Sequence, residues 1–267
     1  MKHLLKKLAV TAVTVTFLYG NAAALTMGTD ITISDKNAEG AGWYSNREDQ
    51  EVEPGMVAKQ IWDLEGFFLN NTILSMVGGY NFKDGVLDGR RYTTGDIFLD
   101  IDGDAVFGDI HGKKDGNISV TNTFGYDYVL DLNFDTFTYN VFELDSSATV
   151  ITSYYKQNQG SNPWQYGSGG KLMEENIRFE YLAGLSDAAV GFLGDSKKVA
   201  GTHNLVSGFD LAFLAGKDFT AHYTMGCGND NLMGQGTVPT PEPATMFLLG
   251  TGLIGLGGMG RKKVFKR

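Results

Sequence analysis

The chain has 267 residues, with 22 Lys and Arg set against 31 Asp and Glu, a formal net charge of −9, and one cysteine. That length accommodates one large or two small domains. The acidic balance disfavours nucleic acid and anionic lipid as partners, and a lone Cys227 excludes an internal disulfide or a paired-cysteine metal site.

The first segment is basic, then apolar, then small. Lys2, Lys6 and Lys7 precede an apolar run from Leu8 to Tyr19, and Asn21-Ala22-Ala23-Ala24 follows. These are the three regions of a secretory signal peptide, so residues 1–24 are expected to be removed by signal peptidase. Ala22 and Ala24 occupy the small positions, and Leu25 becomes the new N-terminus.

With both ends set aside, residues 25–240 hold 14 basic and 30 acidic side chains, a net −16. Such a field favours solubility and attracts divalent cations or basic partners. The domain, residues 25–236, is long enough to bury a sizeable core without staples. Its sequence alternates short apolar runs with turn residues and shows almost no sustained helical period. Strands are expected at 60–69, 72–82, 95–101, 126–133, 137–144, 148–155, 176–183, 203–213 and 219–225. Asn70-Asn71, Lys83-Asp84-Gly85, Asp88-Gly89, Asp115-Gly116 and Asp145-Ser146-Ser147 supply turns between them. One short helix is expected over 185–193, and 157–170 reads as a long surface loop. Hairpin turns without a βαβ rhythm predict an all-β fold, an antiparallel, jelly-roll-like β-sandwich.

Asp96, Asp100, Asp102, Asp104 and Asp109 form the densest acidic cluster. Alternate carboxylates at 100, 102 and 104 would point to one side of an extended segment, and converging hard oxygens suit calcium, the one cofactor the sequence suggests. The spacing is not that of an EF-hand, because glycine falls at the fourth position and the twelfth is His111. The same residues also suit a solvated strand end. A second acidic run, Glu48 to Glu53, reads as hydrated surface that could lend ligands. Trp164 and Tyr166 offer flat faces for stacking on a sugar ring, although anchoring the loop is the commoner use. Trp62 reads as core. Cys227 with His222 or His203 as base is a weak nucleophile pair, since five residues of strand place His222 and Cys227 on opposite faces, about 16 Å apart.

The C-terminal end has three parts. Pro239, Pro241 and Pro243 lie in residues 237–243, which cannot be helix interior and are expected to form an extended stalk. Residues 244–260 carry no charge and, as a single transmembrane helix, would reach about 25 Å, slightly short of the roughly 30 Å hydrocarbon core. Residues 261–267 hold five basic side chains, which keep that end cytoplasmic.

Pro241-Glu242-Pro243, the Gly-rich apolar span and the terminal Arg/Lys cluster together resemble the PEP-CTERM sorting signal of Gram-negative bacteria. The segment 222–234 more loosely resembles the closing strand of PEP-CTERM ectodomains, with no activity attached. The resemblance implies handling by an exosortase, a membrane-embedded cysteine peptidase, and export to the cell envelope, surface or extracellular space in bacteria that make exopolysaccharide or biofilm. No HExxH, GxSxG, Walker or Rossmann pattern is present. The expected role is therefore a non-catalytic surface or matrix protein associated with exopolysaccharide; a glycan-binding module and a secreted hydrolase are the alternatives.

Overall fold

The structure is a computed structural model and describes residues 25–33, 52, 56–57, 59–106, 108, 114–122, 124–191 and 202–240. The expected signal segment, with Ala22 and Ala24, lies outside the described residues. So do Pro241, Glu242 and Pro243, the expected membrane span, the basic tail, Asp109, His111 and the acids of the 48–53 run. No described helix is long and apolar enough to cross a membrane.

The described chain is built almost wholly of antiparallel strands. One sheet has the order β1 (Thr29–Asp30), β2 (Leu64–Asn70), β3 (Ile73–Gly78), β14 (His203–Asp210), β13 (Glu180–Leu185). A second has the order β12 (Lys171–Arg178), β9 (Thr138–Glu143), β8 (Tyr128–Asn133), β6 (Ile97–Asp100), β15 (Asp218–Thr224), β16 (Asn231–Thr237). A three-stranded sheet runs β11 (Gln165–Ser168), β10 (Thr149–Ile151), β7 (Ser119–Thr121), and β4 (Val86–Asp88) pairs with β5 (Arg90–Tyr92).

Alternation along each strand decides which core it feeds, because successive side chains leave opposite faces of a sheet. In β2, Phe67 and Leu69 enter the main cluster, whereas Phe68 turns outward into a small one with Met27, Val77, Val190 and Leu205. The main cluster takes side chains from both large sheets, with Leu74, Met76, Val206 and Phe209 from the first and Ile97, Leu99, Leu130, Val141 and Tyr223 from the second. On the outer face of the six-stranded sheet, Phe98 and Val129 meet Ala148 and Val150, so the three-stranded sheet covers that face. Both faces of β6 are thereby dry, as is the Val129–Leu130 step of β8, which explains why these stretches read as apolar runs.

Three expectations need correction. Residues 60–62 form a 3₁₀ turn before β2, rather than its first residues. The strand expected at 176–183 is two strands. β12 ends at Arg178 in one large sheet and β13 begins at Glu180 in the other, with Phe179 buried at the crossover against Phe134 (4.9 Å) and Phe209 (5.4 Å). The stretch 157–170 is not a surface loop. Lys156–Ser161 is a 3₁₀ turn with Asn158, Gln159 and Ser161 buried, and β11 follows; the polar residues that suggested a loop satisfy internal backbone groups instead. The short helix α1 (Asp187–Val190) is present, capped by Ser186, whose side chain accepts from the Ala189 N–H.

Residues 25–33 are bound into this fold. The Leu25 N–H donates to the Ala189 carbonyl at 2.9 Å, Thr29 and Asp30 pair with β2, and Thr32 bridges Gly234 of β16. One short segment thus joins the edges of both large sheets. At the far side, β12 and β13 each pair with a single neighbour among the described strands.

Candidate functional site

β6 delivers Asp100 to its last position, and the chain then turns sharply. Asp100, 5 % exposed, organises the turn: Oδ1 accepts from the N–H groups of Asp102 (3.1 Å) and Gly103 (2.8 Å), and Oδ2 from that of Ala105 (3.3 Å). Asp102 Oδ1 accepts from the Asp104 N–H at 3.2 Å. Gly103 supplies the φ of +82° that this reversal needs. A Cβ on Gly125 would lie 2.5 Å from Asp104 Oδ1, so glycine there lets a second loop approach the aspartates.

The result brings one carboxylate oxygen from each of Asp100, Asp102 and Asp104 within 4.8 Å of the others. They converge because the chain wraps around Asp100, not because alternate residues of a strand share a face. Asp102 and Asp104 are exposed. The charge of Asp102 chiefly raises the Asp104 pKa, with smaller contributions from desolvation and Asp100. Asp127, absent from the sequence-based set, joins this field. Its Oδ2 accepts from the Ile101 N–H at 2.7 Å, and burial, followed by the charges of Asp102, Asp100 and Asp104, raises its pKa. The donor set is oxygen only and anionic, which fits a hard divalent cation such as calcium.

Trp164 lies inside the fold. It is 9 % exposed, its indole N–H donates to the Thr94 carbonyl at 3.0 Å, and it anchors the segment between the 3₁₀ turn and β11. Tyr166 stacks on Phe142, with ring centroids 4.6 Å apart, and its N–H donates to Asp96. The two aromatics hold β11 in place and do not form an open platform. Leu25, the expected cleavage residue, is exposed beside α1.

Four buried ionisable centres lie elsewhere in the fold, and of their residues Glu65 and Asp187 are not singled out by the sequence. Glu65 and His203 meet at 2.7 Å through Nδ1, and Asp187 takes Nε2 at 2.9 Å. Burial alone would lower the imidazole pKa, but the hydrogen bonds and charges of Glu65 and Asp187 outweigh it and push it up to about 9. Asp96 accepts from Leu132 and Tyr166; burial, then the charge of Asp131, pushes its pKa up to about 8 against the pull of those two donors. His222 sits fully buried, with Nε2 2.8 Å from the Pro163 carbonyl, and burial lowers its pKa to about 4. Cys227, buried at 3 % exposure, has its thiol pushed up to about 12, again chiefly by burial. A protonated thiol and an imidazole hydrogen-bonded elsewhere do not make a nucleophile pair.

A family model, the PEP-CTERM protein-sorting motif, matches residues 239–262. No curated protein and no solved structure matches the chain.

Proposed function

From the premise that its PEP-CTERM motif marks this chain as an exosortase-sorted extracellular protein, exported in the manner of Gram-negative bacteria, we propose that the β-domain is a non-catalytic component of the envelope or biofilm matrix, associated with exopolysaccharide. On this reading the two large sheets form a β-sandwich of the jelly-roll-like kind, signal peptidase cuts before Leu25, and residues 244–260 hold the precursor in the inner membrane until the exosortase acts. The matched motif carries the proposal. Support against thiol-based hydrolysis comes from the groups it would draw on: burial raises the Cys227 thiol pKa, His222 faces a backbone carbonyl, and His203 is clamped between two carboxylates.

Calcium bound by Asp100, Asp102 and Asp104 belongs to the same proposal, as a structural ion that offsets local repulsion on a domain of net −16. The test of sorting is mass spectrometry of the protein recovered from the cell surface and medium. An N-terminus at Leu25 and loss of the residues beyond the stalk are expected, with the tail retained when the exosortase is deleted. Extracellular protein that keeps residues 247–267 would overturn sorting by cleavage.

A further inference from the structure

At one end of the fold the 60–62 turn, the β4–β5 hairpin, the 156–161 turn and residues 227–229 converge without filling the space between them. They leave an open cavity of about 330 Å³. Three aromatic residues, Trp62, Tyr92 and Tyr155, form one wall, and Asp88, Gln157 and Asn158 add polar groups. The wall is braced by contacts among its own side chains. Trp62 meets Tyr92 edge to face at 5.8 Å, Tyr92 lies 5.8 Å from Tyr155, and the two tyrosine hydroxyls are hydrogen-bonded to each other. Asn158 is fixed by donation from Nδ2 to the Cys227 carbonyl at 3.0 Å.

The polar groups are less committed. The Trp62 indole N–H and the Gln157 side-chain amide have no hydrogen-bond partner among the described residues, and Asp88 is exposed. A concave site with aromatic faces and a few convergent donors and acceptors suits a small ligand that is apolar on one side and polar at its edge. A pyranose ring has that form: its C–H face packs on an aromatic ring, and its hydroxyls both donate and accept. Asp88, on a domain of net −16, disfavours uronic acids and phosphosugars. A quaternary ammonium would use the rings but leave the indole N–H and the Gln157 amide unpaired.

We infer that this cavity binds one neutral hexopyranose unit of a polysaccharide. This deepens the proposed exopolysaccharide association and takes its biological meaning from that reading, yet none of its residues belongs to the sorting signal.

The experiment is saturation-transfer NMR on the full chain purified in detergent, with methyl glucoside, methyl galactoside and methyl mannoside as probes and glucuronate and choline as rivals. At least one neutral hexoside should show saturable transfer, weakened roughly tenfold or more by Gln157→Ala and by Trp62→Phe, and unchanged by Tyr166→Phe. Gln157 is exposed, so its variant should melt where the parent does, which separates lost binding from lost folding. No transfer to any neutral hexoside, binding of glucuronate or choline in their place, or unchanged affinity in both variants would overturn the inference. Mass spectrometry of exported protein reads the sorting signal whatever the sugar result, so the two proposals fail separately.

Discussion

Asp102 is the residue on which the calcium proposal can be tested most cleanly. It is exposed and, unlike Asp100, does not hold the turn together through three backbone N–H groups. If the site binds calcium as proposed, a hundredfold excess over Kd is expected to stabilise the native state by about 2.7 kcal/mol, a rise in melting temperature of about 5 °C for a domain of this size. Magnesium should do less, since it demands tighter octahedral geometry and holds its water. Sodium chloride at matched ionic strength measures general screening. Calorimetry is expected to show a calcium shift beyond matched salt that Asp102→Asn removes; a shift no larger than matched salt, or one intact in the variant, sinks the site. The three aspartates were legible in the sequence because they are close in it. Asp127 was not, since the hydrogen bond that carries it to Ile101 spans 26 residues. Glu65 and His203 stand 138 residues apart and only strand pairing brings them together.

At the scale of elements, β12 is exposed along almost its whole length and pairs only with β9 among the described strands. Leu172 and Met173 are 46 % and 41 % exposed, so this edge invites pairing with another chain. Two register shifts interrupt its ladder, and Asn176 at φ +57° donates its N–H to the Asn140 side chain. Glu174 and Glu175 stand at the centre of the strand, where an antiparallel copy would set like charges against one another. Replacing both with valine should leave the melting temperature of dilute protein nearly unchanged, since surface substitutions cost about 0.5 kcal/mol or less. Light scattering should nevertheless report concentration-dependent association, and a variant that stays monomeric would show that the bulges alone protect the edge. The same features explain which strands could be read. β2, β3, β6, β8, β9, β14 and β15 carry apolar runs because they line the shared core. β12 carries no apolar alternation because only Ile177 near its end packs on the core, and β7 and β11 are short outer strands whose polar residues resemble loop.

For the whole molecule, the buried ionisable groups set a pH profile. His203 is charged up to about pH 9 in the fold but only to about 6.5 when unfolded, so its stabilisation is complete below 6.5 and lost as pH rises through 9. Asp96, raised to about 8 from an unfolded value near 4, contributes most below pH 4 and loses that contribution as pH climbs through 8. His222 acts in the opposite sense. With its pKa lowered to about 4, its contribution is present above 6.5 and lost as pH falls. Between about pH 4 and 6.5 the Asp96 and His222 contributions offset one another, so melting temperature is expected to be nearly level there and to fall above about pH 6.5, where His203 and Asp96 both lose their contributions. Glu65→Gln should flatten the slope between about 6.5 and 9 at a cost of roughly 3–5 kcal/mol, because it leaves a buried charge with one partner fewer. An unaltered alkaline slope in that variant would assign the dependence to Asp96 and to the general acidity of the domain.

The last described strand leads directly towards the sorting segment, and this has a mechanical consequence. β16 ends at Thr237, and Val238, fully buried, exchanges hydrogen bonds with Lys217 and Gly216 before the prolines begin. Any pull transmitted through the stalk enters the domain there and runs along β16. Seven residue pairs join β16 to β15, and residues 31–33 add bonds on its other edge. Ladder hydrogen bonds lie across the strand, so a load along its axis shears them together instead of opening them one at a time. Were the domain held through the chain beyond Val238, tension would load this ladder as a whole and be passed on to the central strands before the terminal one came loose.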